Sequence, residues 1–310
     1  MLSHSLLLSA AIGLTPIVPD AAQVFAPGVI SAGASDAALT LSPDGTEAFF
    51  ERGNGQSYAI MQSRLTKSGW SQPKVAPFSG TWVDLESAMS ADGSYLVFSS
   101  NRPAKIGDKP IDGFFYGKLQ VAKGGALWRV NRTDTGWSKP FRLPSTINIS
   151  NSIYEPSIAG NGDIYFQSAD EDGKAFHLYF VRAFGDQYTK AELIDLNGPA
   201  GSSDMDPAIA RDGSYLVFSS NRDSTGDHHL YIAFKTSTGW SAPKLLGPDV
   251  NISSVGDPRL DEKNHRLYFS TRKLAPPSGD TQADLDDAAH WNNGLSNIWF
   301  VHFDVDNWRI

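Results

Sequence analysis

The chain has 310 residues, 41% of them hydrophobic and 19% charged, which is ample material for a large globular core. Lys and Arg number 26 against 34 Asp and Glu, and the resulting charge of −8 argues against nucleic acid or an anionic membrane surface as a partner. Cysteine is absent, which excludes disulfides, thiolate metal sites and a lipoprotein anchor, while 28 Gly and 18 Pro suit many short strands joined by turns.

The chain opens on MLSHSLLLSAAIGLTPIVP, whose apolar run from Leu6 to Leu14 has signal-peptide length but no preceding Lys or Arg and no clean A-x-A site after it. Residues 1–22 therefore read as a signal peptide or an apolar N-terminal tail, and the mature protein as periplasmic or secreted. No other stretch nears the ~20 apolar residues that a membrane span requires.

From Gln23 onward one unit recurs. Asp206 to Arg222 (DPAIARDGSYLVFSSNR) reads as two strands joined at an Asp-Gly turn, and Glu86 to Arg102 shares its last eleven letters. Weaker copies begin at Ala38, Glu155 and Asp257. A third strand follows each hairpin: Tyr58–Arg64, Leu127–Arg132, His177–Arg182, Leu230–Phe234 and Ile298–Asp304. Each then reaches a turn aromatic (Trp70, Trp137, Tyr188, Trp240, Trp308), and an extended fourth segment follows the first four. Four-strand repeats of roughly fifty residues predict an all-β chain, a β-propeller of antiparallel blades. The fifth repeat stops short of a fourth strand, and the segment from Gln23 to Ser31 resembles one. The N-terminal strand is thus expected to complete the last of five blades and close a single domain over 23–310. A six-blade alternative needs a hairpin hidden in 103–126 or 274–296.

At Ser42 to Gly45, at the Asp-Gly pairs 92–93 and 212–213, and at the Ser-Asn-Arg triplets 100–102 and 220–222, the chain resembles the TolB-like, PD40 (WD40-like) propeller family. The resemblance covers nearly everything from Gln23 onward. It implies a bacterial envelope protein whose propeller is a binding platform, without the hydrolase domain that accompanies some of these propellers.

An acid opens four of the hairpins: Glu86, Glu155, Asp206 and Asp257, with Ala38 in the first blade and Asp36 two residues earlier. The inner strand faces the channel, so these carboxylates form a ring at one mouth, where like charges raise one another's pKa or recruit a cation such as Ca²⁺. Alternatively each acid bonds backbone N–H groups or pairs with a base. Arg102 and Arg222 lie at the same mouth as Glu86 and Asp206, Lys273 and Arg272 are the bases of blade 5, and Arg52 is displaced like Asp36. Blade 3 has no such base, which makes Glu155 the least neutralised acid.

Two long insertions follow the second strands of blades 2 and 5. Residues 103–126 carry Phe114, Phe115 and Tyr116, and residues 274–296 carry Asp280, Asp284, Asp286, Asp287, His290 and Trp291. Both emerge on the face where the acids lie and flank blade 1, predicting a cleft above it suited to a sugar or peptide. DLDDAAHW lacks calcium-loop spacing and reads as a short helix.

The leading functional reading is a non-catalytic extracytoplasmic propeller, monomeric and without an obligate cofactor, that binds a protein, peptide or glycan on its loop face. Its ligand contacts would come from Glu86, Arg102, Phe114, Phe115, Tyr116, Glu155, Asp206, Arg222, Asp257, His290 and Trp291. The alternative is a five-bladed carbohydrate-active enzyme using Asp36, Glu86 and Glu155, which needs two carboxylates suitably spaced in an open pocket. A cation held by Glu86, Glu155, Asp206 or Asp257 is a third possibility.

Overall fold

A computed structural model describes residues 21–275 and 281–309. The leader run and Asp280 lie outside the described residues, as do the side chains of Asp284 and Asp287. Five antiparallel sheets form the blades of a ring. The inner strands are Ser35–Leu41, Asp84–Met89, Ile153–Ile158, Asp204–Ile209 and Val255–Asp261. Second strands run over Glu47–Gly53, Tyr95–Ser100, Ile164–Ala169, Tyr215–Ser220 and Arg266–Thr271. Third strands are Tyr58–Thr66, Ala126–Thr133, Phe176–Val181, His229–Thr236 and Asn297–His302.

The outer strands shrink to two residues each, and the last is Gln23–Val24, which pairs with Phe300 and Trp299. The expected closure of blade 5 by the N-terminal strand is therefore present. The 103–126 insertion does contain a hairpin, Gly113–Phe115 with Lys118–Gln120, but it remains an isolated two-stranded piece and adds no sixth blade. The other insertion contains a helix, Gln282–Trp291. Trp308, unlike the other turn aromatics, sits in a 3-10 turn, Val305–Trp308.

The turn chemistry explains the SPDG signature. Ser42 Oγ donates to Asp44 and accepts the N–H of Glu47, while Asp44 also accepts from Thr46, and only Gly45 takes positive φ, at 74°. Ser90, Asp92, Ser94 and Gly93 repeat the arrangement. The Asp is thus selected for its acceptor and the Gly for its backbone.

Both faces of every blade are buried, so the second strands read as continuous apolar runs. One Phe per blade, Phe50, Phe98, Phe166, Phe218 and Phe269, is fully buried at the equivalent position. Each packs against the preceding blade, and five apolar clusters result, one at every blade boundary. A blade buries these rings only against its neighbours.

Candidate functional site

Each inner strand carries a β-bulge, and the residue following the last regular pair is Ala38, Glu86, Glu155, Asp206 or Asp257. All five adopt left-handed backbone, with φ between 49° and 54°. That conformation is unfavourable for a residue with a Cβ and persists where surrounding structure holds it. Here the N–H of each is captured by the preceding blade. Glu86 Oε2 accepts from Glu155 at 2.7 Å, Gln167 Oε1 from Asp206 at 2.6 Å, Asp206 Oδ2 from Asp257 at 3.3 Å and Ser270 Oγ from Ala38 at 3.3 Å. Glu51 holds the N–H of Glu86 in the same way. These bonds run from blade to blade around the channel.

The arginines serve other acids. Arg102 Nη2 meets Asp84 Oδ1 at 2.5 Å, Arg222 grips both oxygens of Asp204 at 2.7 and 2.8 Å, and Arg52 Nε meets Asp36 at 2.6 Å. Asp36, Asp84 and Asp204 occupy one structural position, two residues before the bulge. The expected pairings of Arg102 with Glu86 and of Arg222 with Asp206 are therefore corrected by two residues: Asp84 and Asp204 face Ser100 and Ser220 in the register, and those serine hydroxyls bond acid and arginine alike. Asp36 is not a displaced channel acid but a member of this buried outer set, fully enclosed beside Arg52. Each arginine also lies over the Phe of its own second strand, Phe50, Phe98 or Phe218.

Glu155 is the opposite of the expected unneutralised acid. It is 1% exposed, and its Oε2 accepts from Arg259 Nη2 at 2.5 Å. Arg259 comes from the inner strand of blade 5, where the other blades place Thr40, Ala88, Ser157 and Ala208. That substitution of a long base for a small residue was the available sequence signal. Glu155 Oε1, Glu51 Oε2 and Arg259 Nε have no hydrogen-bond partner among the described residues. Carboxylate oxygens of Glu155, Asp206 and Asp257 lie within 4.8 Å of one another, and Glu86 stands outside this trio. Burial, reinforced by repulsion from Asp257, raises Asp206 to about 8 and Glu86 to about 7. Burial also lifts Glu51 and Glu155 well above the ordinary range. Oxygen donors of this kind suit a hard cation such as Ca²⁺ or Mg²⁺.

The two insertions do not wall a cleft over blade 1. The 113–120 hairpin leans onto blade 3: Phe114 N–H donates to Ser152 Oγ, Gly117 N–H to the Gly173 carbonyl, and Phe115 packs on Tyr154 and Phe176. The helix of the other insertion lies beside Gly33, whose carbonyl accepts from Asn293. His290 is exposed and Trp291 half-buried there, so they do not converge with Phe114, Phe115 and Tyr116. A shared anchor explains the lean: blade 3 offers glycine at 173, against which Phe114 packs closely.

No family model matches the sequence, and no curated protein does. Among solved structures, a TolB of Agrobacterium tumefaciens matches with a TM-score of 0.50 and 14% identity, over 76% of this chain and 70% of that one. An endo-arabinase of Bacteroides thetaiotaomicron matches with a TM-score of 0.51 and 14% identity, over 91% of this chain and 98% of that one. The likeness at these identities is one of fold. The chain is similar in architecture to the TolB-like propellers, as its SPDG turns and Ser-Asn-Arg triplets imply.

Proposed function

We propose that the protein is a non-catalytic, extracytoplasmic binding propeller that takes a polypeptide ligand on its loop face, against the apolar side of the 113–120 hairpin. One observation carries this reading. Leu119 lies opposite Phe114 in the hairpin register, so the two share a face, and Val121 follows in the adjoining turn. Leu119 is 60% exposed, Val121 69% and the turn residue Tyr116 70%. Contiguous exposed apolar side chains of this kind mark interaction surfaces. Aliphatic Leu119 and Val121 offer nothing to sugar hydroxyls and fit apolar protein side chains better.

The engagement of the channel carboxylates also favours binding over hydrolysis. A glycosidase needs two accessible carboxyl groups with distinct roles, whereas Asp36 and Glu155 are enclosed against arginines and Glu86 holds a neighbouring blade. The test is affinity capture with the intact protein and with a Leu119→Ser/Val121→Ser variant of unchanged melting temperature. A specific polypeptide held by the parent and lost by the variant supports the reading. Identical capture by both, or retention of glycans alone on an array, overturns it.

A divalent cation at Glu155, Asp206 and Asp257 is a second proposal. The unpartnered, buried Glu155 Oε1 favours it, because an uncompensated carboxylate oxygen away from water is costly.

A further inference from the structure

The hairpin turns surround the opposite mouth of the channel, and among them lies a cavity of about 480 Å³, within the range of small-molecule sites. Leu39, Met89, Ile158, Ile209 and Leu260 give it an apolar floor. Arg211, from the blade 4 turn, reaches across the opening. Its Nη2 donates to the Ala91 carbonyl of blade 2 at 2.7 Å, and its own carbonyl accepts the Gly160 N–H of blade 3 at 2.7 Å. A Cβ at position 160 would stand 2.6 Å from that carbonyl, so glycine there lets the contact form. With its own N–H donating to Glu262 of blade 5, Arg211 is held at the opening by bonds to three other blades.

The polar groups around this cavity are unbalanced. Its carboxylates accept hydrogen bonds from neighbouring groups: Asp44 through Oδ1 from Ser42 and Thr46, Asp261 from Asn264, and Glu262 from the Arg211 N–H and the Tyr215 hydroxyl. Its donors are less fully engaged. Arg259, 8% exposed, lines the cavity with Nη1 and Nη2 taken by the Pro258 carbonyl and Glu155, and its buried Nε has no partner among the described residues. Lys263 on the rim makes no ion pair among the described residues. Among the described residues, only Nη2 of the Arg211 guanidinium is bonded. A guest that supplies acceptors to cationic donors, over an apolar floor, completes this arrangement.

We propose that the hairpin-face cavity is a binding site for a small organic carboxylate with an apolar body, its carboxylate held by Arg211 and Lys263 and its body resting on Leu39, Met89 and Ile209. Arg259 stands between this guest and the channel acids, since it both lines the cavity and engages Glu155. The site lies on the face opposite the 113–120 hairpin and does not depend on the function proposed above.

Isothermal titration of the full chain at pH 7 with octanoate, and with octanamide as its neutral counterpart, tests the proposal. Saturable octanoate binding at least tenfold tighter than octanamide is expected. Lys263→Gln, in an exposed turn, should weaken octanoate about fivefold or more and leave octanamide unchanged, and Arg211→Gln should do the same if its melting temperature is retained. No saturable octanoate binding, equal affinity for the two probes, or indifference to Lys263→Gln overturns it. The Leu119→Ser/Val121→Ser variant should bind octanoate as the parent does, and impaired binding by that variant would count against the assigned location.

Discussion

Glu86 Oε2 accepts the backbone N–H of Glu155 across a blade boundary at 2.7 Å. A side chain that reads in sequence as a channel ligand is therefore also a tie between blades. Glu86→Ala leaves that buried N–H without an acceptor and should cost about 1–3 kcal/mol in urea unfolding. Glu86→Gln keeps an acceptor oxygen and removes a charge, so it should cost far less at pH 8. Equal losses in the two variants would show that the hydrogen bond is not what matters.

Arg259 and Glu155 form the most enclosed ion pair of the channel, with side chains 9% and 1% exposed. Arg259→Leu strands a buried carboxylate and should destabilise by roughly 3–5 kcal/mol. Adding Glu155→Gln removes the stranded charge, so the double variant should recover part of that loss. A double-mutant cycle with no coupling between the two positions would refute this account.

Raised carboxylate pKa values have a definite sign. Glu86 near 7 and Asp206 near 8 compare with about 4 in an unfolded chain. Between about pH 4 and 8 the folded state binds more protons than the unfolded state, so stability falls as pH rises through that window. Asp44 and Asp92, held down to about 2 by their turn hydrogen bonds, act in the other direction and only below about pH 4. The melting temperature in EDTA should accordingly be several degrees lower at pH 8 than at pH 5.5, measured by calorimetry. A flat profile over this range would contradict the assignment.

Millimolar Ca²⁺ or Mg²⁺ should reverse the loss at pH 8 if the trio of Glu155, Asp206 and Asp257 holds a cation. At a hundred times Kd the gain is about 2.7 kcal/mol, a rise of roughly 5 °C. Glu155→Gln should abolish the rise. Identical melting with EDTA and with both cations would leave the acids as blade ties alone.

The repeats made the hairpins, the blade count and the closing strand readable, because Asp-Gly turns and apolar runs report local geometry directly. The partners of the charged groups were not readable in the same way. A bulge shifts the pairing by one residue without leaving a mark in the letters, and beyond it Glu86 turns to the next blade, so Arg102 meets Asp84 instead. Glu51 was hidden within an ordinary second strand, and Arg259 meets Glu155 across 104 positions of sequence. The lean of the 103–126 loop onto blade 3 was set by Ser152 and Gly173, neither of which stands out on its own.

Gln23–Val24 pairs with Phe300 and Trp299, residues near the far end of the chain. Such contacts carry a large loop-closure entropy and form late. Blade 5 is thus a seam whose edge stays open until both ends of the domain have been synthesised, and only then does the ring lose its last exposed strand. Until Gln23–Val24 docks on it, the edge of Asn297–His302 is a template for a strand from another copy. Brief pairing there between chains whose ring has not yet closed is the hazard this architecture carries, and the short, two-residue closing strand limits how long any such foreign strand could remain.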